Sequence, residues 1–394
     1  MLSQRSLFFK HLAQTSPFPP ALEILRAENC NLYDVTGKKY LDLISGISVS
    51  SFGHANETIN KAIHHQVDKH LHVMVYGEYI VSPQVELATD LCNLLPPTLQ
   101  SVYLTNSGTE ATEGAMKLAK RFTGRTGFIS FRNAYHGSTQ GALSICGNES
   151  LKNAYRPLLS DHRILDIDVE DQLEFIDENT AAVFIEPVLA EAGIRIPQKE
   201  FLEKLRKRCT ERNVLLVFDE IQTGMGRTGS LFAFTQINIV PDILLAGKAF
   251  GGGMPLGAFI SSKEIMSVLS NNPMLGHLTT SGGHAVSCAA SLAGLKILTT
   301  TSLLQDVNKK EKLFRSQLLH PSFKEIRGKG LLLAIEFDNE MTTQKIITRC
   351  FEKGLLTDWF LFAPSCMRIA PPLIISEEEI RTACETIVAC ADNL

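Results

Sequence analysis

The chain has 394 residues, 44% of them hydrophobic and 20% charged, with 27 glycines and 16 prolines, a composition that suits a globular protein with a large buried core. Lys and Arg number 38 against 42 Asp and Glu, a formal net charge of -4, so no basic field exists to hold a nucleic-acid backbone or an anionic membrane surface. No apolar run approaches the roughly 20 residues needed to cross a bilayer, and Met1-Leu2-Ser3-Gln4-Arg5 leads into mixed polar sequence, so a cytoplasmic protein is expected.

In chain order, residues 1–51 carry a hairpin pattern at 30–40, with Asp34-Val35-Thr36-Gly37-Lys38 as its turn, and are expected to pack with a smaller domain. Residues 52–302 form the expected large domain. Within it short β-branched runs alternate with helix-length stretches: Val102-Tyr103-Leu104, Gly127-Phe128-Ile129, Ala182-Val183-Phe184-Ile185, Val214-Leu215-Leu216-Val217-Phe218 and Ile243-Leu244-Leu245. Apolar strands without polar alternation predict a mostly parallel sheet covered on both faces, so the fold class is α/β. Residues 303–394 suit a small α+β domain, with a helix near 307–318, a glycine-broken strand region at 326–337, and a closing helix started by a capping box of Ser376 and Glu379. Nine cysteines without a CxxC pair give neither a disulfide framework nor a zinc site, and are expected reduced and mostly buried.

In such sheets ligands sit beyond the carboxyl ends of the strands, so the residues there matter most. After 102–104 comes Thr105-Asn106-Ser107-Gly108-Thr109-Glu110, in which Ser107 and Glu110 have capping-box spacing and the following helix would present free N–H groups to a phosphate. Any strand-to-helix turn favours Ser, Gly and Thr, so this motif alone is more often structural. The run 214–218 ends at Asp219-Glu220-Ile221-Gln222. A carboxylate there needs a partner, which a helix cap, a metal or a protonated ring nitrogen would each supply. Lys248 follows 243–245 and precedes Gly251-Gly252-Gly253, an environment that can desolvate an amine as a Schiff-base lysine requires, although most lone lysines are surface residues. A phosphate cradle, a strand-end Asp and a strand-end Lys together are the parts of a pyridoxal phosphate site.

With these residues in place, the sequence resembles the class III aminotransferases, pyridoxal-phosphate enzymes of fold type I that include acetylornithine, ornithine and ω-amino-acid transaminases. The resemblance runs from Leu32-Tyr33-Asp34-Val35-Thr36-Gly37 and Gly53-His54 through Ser107-Gly108-Thr109-Glu110-Ala111, Tyr135-His136-Gly137, Glu186-Pro187 and Asp219-Glu220-Ile221-Gln222-Thr223-Gly224 to Lys248, Arg327-Gly328-Lys329-Gly330 and Arg368-Ile369-Ala370-Pro371-Pro372. It implies that Lys248 holds the cofactor aldehyde and shuttles a proton, that Asp219 pairs with the pyridine nitrogen, and that Gln222 bonds the phenolic oxygen. It further implies that Ser107, Gly108 and Thr109 cradle the phosphate, that Tyr135 stacks on the ring with His136 supporting its loop, and that Thr280, with Thr279 beside it, reaches the phosphate of a neighbouring subunit in a homodimer. Arg368 and Glu191 resemble a switching pair for a substrate carboxylate. Ser138 stands where acetylornithine and ornithine enzymes carry a carboxylate-clamping arginine, and Ile47 where ornithine enzymes tend to place a tyrosine. The expected reaction is transfer of an amino group, by a ping-pong route, from an amine-bearing donor such as acetylornithine, ornithine or another ω-amino acid to a 2-oxo acid such as 2-oxoglutarate or pyruvate, with an aminomutase, decarboxylase, racemase or non-catalytic cofactor-binding protein as alternatives. A nicotinamide enzyme would need a GxGxxG unit after an early strand, which is not seen.

Overall fold

The structure, a computed structural model, describes residues 2–392. The five apolar runs all become strands of one seven-stranded sheet, in the order Ser101–Thr105, Gly257–Ser261, Ile243–Ala246, Leu215–Asp219, Thr180–Ile185, Gly127–Phe131 and His162–Leu165. The five strands from Ile243–Ala246 to His162–Leu165 are mutually parallel, and Gly257–Ser261 runs antiparallel to both its neighbours. The runs legible in the sequence do not include Gly257–Ser261 or His162–Leu165. The former returns antiparallel because the connection from Ala246 is too short for a helical crossover; the latter is a half-exposed edge strand without a continuous apolar run.

Period-two alternation explains why the central strands are apolar throughout. Val183, Ile185, Leu216, Phe218 and Leu244 face one core cluster, while Ala182, Phe184, Leu215, Val217 and Leu245 face the other. Helix Gly108–Thr123 lies on the second face, against Met266 and Phe259. The apolar helix Ala285–Thr300 packs against Glu57–Lys69 and Ser82–Asn93. Among the described residues no single helix is long and apolar enough to cross a membrane.

The two ends of the chain share a sheet. The predicted hairpin forms from Asn31–Asp34 and Lys39–Asp42, with Ile24–Glu28 on one side and Leu355–Leu356 on the other. Its turn is held by Asp34, whose Oδ1 accepts from the N–H groups of Thr36 and Lys38 at 2.9 and 3.0 Å. A second sheet of Glu325–Lys329, Leu332–Glu336, Ala363–Ile369 and Trp359–Phe360 carries Arg368, and helix Glu377–Ala391 starts with the predicted capping box of Ser376 and Glu379. All nine cysteines are free, and all but the half-buried Cys92 are buried.

Candidate active site

The chemistry-bearing residues meet beyond the carboxyl ends of the parallel strands, around a cavity of about 220 Å³. Strand Leu215–Asp219 delivers Asp219, Ile243–Ala246 leads to Lys248, Thr180–Ile185 leads to Glu186, and Gly127–Phe131 leads to the loop carrying Tyr135, His136 and Ser138.

Asp219 finds its partner in His136, whose Nδ1 lies 2.7 Å from Asp219 Oδ2 with both side chains out of solvent. Burial disfavours the charged imidazole, yet the hydrogen bond and charge of Asp219 outweigh it and raise the His136 pKa above its ordinary value. Asp219 Oδ1 accepts from the N–H of Ile221 at 3.1 Å. Glu186 staples two loops: it accepts from Tyr135 N at 3.0 Å and Ala190 N at 3.1 Å, and burial pushes its pKa up to about 7.

Lys248 Nζ donates to Gln222 Oε1, leaving Gln222 Nε2 buried at the cavity without a partner. Burial pulls the lysine pKa down to about 8. Lys248 also sits at φ +50°, a left-handed conformation that costs a non-glycine residue of order 1 kcal/mol and fixes where its side chain departs.

The cradle is shaped by two close approaches. A Cβ at Gly108 would come within 2.8 Å of Ile221 Cδ1, and one at Gly137, whose φ is +132°, would collide with Thr109 Oγ1. Thr109 Oγ1 pairs with Thr139 Oγ1 at 2.8 Å, tying the helix start to the Tyr135 loop. The predicted capping box at Ser107 is only half formed. Ser107 Oγ accepts from Glu110 N at 3.3 Å, but the Glu110 carboxylate takes Asn106 N and Nδ2, both at 2.9 Å, because that asparagine offers two donors to one carboxylate.

Ser138 and Glu191 line the same cavity. Ser138 Oγ pairs with the Tyr135 hydroxyl at 2.8 Å. Glu191 grips Arg368 with both oxygens, at 3.0 and 3.1 Å. Burial works against the Glu191 charge, but Arg368 overcomes it and holds the carboxyl below its usual range.

Of the residues singled out from sequence, Gly108, Thr109, Tyr135, Ser138, Glu191, Asp219, Gln222 and Lys248 line one cavity. Arg368 reaches it only through Glu191. The Ser107 hydroxyl serves the helix cap. Ile47, half-buried, sits outside the lining in a turn whose residues Ser45, Gly46, Ile47 and Ser48 all have positive φ, and this turn packs against Lys248–Gly251. Neither Thr279 nor the exposed Thr280 is in the lining of this chain's own Lys248 cavity; Thr279 lines a separate one, and its Oγ1 accepts from Asn106 Nδ2 at 2.7 Å. Two partners are not foreseen from sequence, the His136 bond to Asp219 and the acid Asp358 on Arg368 Nε. For Asp219 the demand of a strand-end carboxylate for a partner was the available signal; for Asp358 nothing in the sequence pointed to it.

The donor set fits pyridoxal phosphate: a buried amine, a carboxylate fixed behind the cavity, an orphaned amide donor beside the lysine, an aromatic wall at Tyr135 and a helix start shaped by Gly108. Fold and site together define a pyridoxal-phosphate enzyme of fold type I. The family model for class III aminotransferases matches residues 13–391. The acetylornithine aminotransferase of Clostridium acetobutylicum is 37% identical over 371 residues, covering 91% of this chain and 93% of that protein. That of Methanopyrus kandleri is 35% identical over 376 residues, covering 95% and 94%. Among solved structures, the ornithine aminotransferase of Toxoplasma gondii ME49 superposes with a TM-score of 0.91 at 29% identity, covering 100% of this chain and 96% of that one. The chain belongs to the class III aminotransferases and is a pyridoxal-phosphate-dependent transaminase.

Proposed function

We propose that this transaminase takes its amino group from the terminal primary amine of an ω-amino acid or amine and passes it to a 2-oxo dicarboxylic acid of the 2-oxoglutarate type. The observation that carries the donor half is Ser138. Its hydroxyl is already paired with Tyr135, and the cavity lining carries no arginine: its basic side chains are Lys248 and His136, the latter already taken up by Asp219. A donor carboxylate therefore meets no arginine fork there. The acceptor half rests on Arg368, whose two terminal nitrogens face Glu191 in the geometry a substrate carboxylate would take.

Bound in this cavity, pyridoxal phosphate supplies an electron sink when the amine-bearing carbon loses its proton. Lys248 would hold the aldehyde end and, once the donor's amine has displaced its own, the freed amine, whose pKa burial lowers to about 8, would be the base that takes and returns that proton. Asp219, oriented by His136, would keep the ring nitrogen protonated. Gln222 Nε2 would be the donor for the phenolic oxygen, Tyr135 would supply an aromatic face for the ring, and the amides at Gly108 and Thr109 would receive the phosphate. Glu191 occupies Arg368 while a donor without that carboxylate reacts, and yields to the acceptor afterwards.

The site is completed in a homodimer. Met274, Leu275 and Leu278 are exposed apolar side chains on the segment before Thr279 and Thr280, and the exposed Tyr79 and Val85 line one cavity with Thr279; pairing of two subunits there would cover them. Residues 1–51 and 303–394 act as one smaller domain beside the large domain of 52–302. Nine free cysteines suit the reducing cytoplasm.

The test is a half-reaction screen in which single donors are mixed with the holoenzyme and conversion to the pyridoxamine form is read by absorbance. Amines and ω-amino acids without an α-carboxylate should convert it. A second reading, favoured by the names of the relatives at 35–37% identity, is that N-acetylornithine is the donor. Faster conversion by N-acetylornithine than by every donor lacking an α-carboxylate would establish it, and would mean that a group other than residue 138 grips that carboxylate.

A further inference from the structure

Arg368 is held from two sides by two acids that differ in where they come from. Its terminal nitrogens meet Glu191, which stands on the loop after strand Thr180–Ile185, in the other sheet. Its Nε donates to Asp358 Oδ1 at 2.8 Å, and its backbone N–H donates to the carbonyl of the same Asp358, also at 2.8 Å. Asp358 precedes strand Trp359–Phe360, which pairs with Arg368's own strand Ala363–Ile369. Arg368 Nη2 also donates to the Trp359 carbonyl at 3.3 Å, and the Phe360 ring lies 4.4 Å from the guanidinium carbon. The far edge of the guanidinium is thus fastened within its own lobe, and the near edge is covered by a carboxylate from across the cavity.

We propose that Asp358 is a positioning residue for the acceptor: it fixes the Nε edge of Arg368, so that when Glu191 leaves, both terminal nitrogens stay aimed at the place where the acceptor carboxylate replaces it. The inference rests on the Arg368–Glu191 reading proposed above. Replacement of Glu191 by the substrate exchanges one carboxylate for another on the same edge, and the count of charges around the arginine is unchanged. Without Asp358 the Nε edge is unheld and only the long Trp359 contact and the Phe360 ring restrain the guanidinium, so once Glu191 leaves, the fork that gives bidentate recognition is less well aimed.

The experiment compares the two half-reactions in the holoenzyme, with 2-oxoglutarate as the acceptor. Asp358→Ala should raise the acceptor KM about ten- to a hundredfold, the size expected for losing a hydrogen bond to a charged group, while the donor half-reaction keeps its KM and rate. Asp358→Asn keeps an acceptor for Nε and should restore most of the acceptor KM, a rescue that a role in folding alone would not produce. Calorimetric binding of glutarate to the pyridoxamine form should weaken in parallel with KM. If Asp358→Ala does not fold, Asp358→Glu makes the same test, since it keeps the charge and displaces the oxygen by one methylene. Unchanged acceptor KM in these variants, or an equal rise in donor and acceptor KM, overturns the proposal. Arg368→Ala separates the two levels: if it leaves acceptor KM unchanged the switching pair itself is wrong, whereas if it raises acceptor KM and Asp358→Ala does not, only the anchor is wrong.

Discussion

The residues that would hold the cofactor and those that would face the substrates are built on different principles. On the cofactor side, Asp219 and Glu186 stand at or directly after strand termini, and the three charged groups each have a fixed intramolecular partner: His136 for Asp219, two backbone amides for Glu186, Gln222 for Lys248. On the substrate side, Ser138 and Glu191 sit on loops, and Arg368, fastened at Nε by Asp358, faces Glu191, the acid that gives way to a substrate carboxylate in the switching reading. Rigid strand ends suit a cofactor that never changes, because electrostatic preorganisation requires groups that do not relax. Loops and exchangeable ion pairs suit a site that admits two substrates in turn.

The largest effect tests the cofactor side directly. Lys248→Ala should lower turnover by at least about a thousandfold, corresponding to about 4 kcal/mol of barrier, and abolish the absorbance of lysine-bound cofactor. The fold should be intact by circular dichroism, since alanine meets the same left-handed backbone cost as lysine. Retained absorbance at normal cofactor occupancy would overturn the assignment.

The depressed pKa of Lys248 gives the next contrast. A lysine at its ordinary pKa near 10.5 would still be gaining neutral amine at pH 10, whereas one at about 8 is protonated and inert below that value and fully neutral above about pH 9. Capture of pyridoxal phosphate by the apoprotein, followed by absorbance, should therefore rise about a hundredfold from pH 6 to pH 9–10 and then level. A rate still climbing in proportion to base at pH 10 would mean that burial does not depress the amine.

His136 tests whether the cofactor side depends on its buried partners. His136→Leu removes the donor on Asp219 and should weaken cofactor affinity about ten- to a hundredfold, as expected for a bond to a charged group. His136→Asn, which keeps a polar group near the Nδ1 position, should recover much of it. Equal losses in both variants would assign His136 to packing against Phe184 instead of to Asp219.

The same contrast explains what was legible in the sequence. The cofactor side could be read because buried parallel strands are continuous apolar runs, and polar residues directly after them, Asp219 and Lys248 above all, stand out against that background. What the sequence lacks is any sign of the pairing. Nothing local joins His136 to Asp219, 83 positions away, nor Asp358 to the guanidinium it fastens, because the loop before Trp359–Phe360 has no periodicity that points anywhere. The strand Gly257–Ser261 escaped for a related reason: its five residues follow a glycine-rich stretch, and only the sheet fixes its antiparallel direction. The half-formed cap at Ser107 shows the limit of a spacing rule, since Glu110 sits at capping-box distance yet binds the neighbouring Asn106.

The smallest expected effect sharpens the substrate side. Ser138→Arg places a guanidinium in the cavity where Ser138 now pairs with Tyr135, at the cost of that one hydroxyl contact. Donors that carry a carboxylate should then show a KM about tenfold lower, roughly 1.4 kcal/mol for a charge-assisted pair partly offset by screening and ordering of the new side chain. Amine donors without a carboxylate should gain nothing, and the cofactor absorbance should stay as it was, because the strand-end groups are untouched. If instead every donor changed alike, residue 138 would act on the shape of the cavity and not on its charge, and donor preference would have to be set elsewhere along the loop from Tyr135 to Thr139.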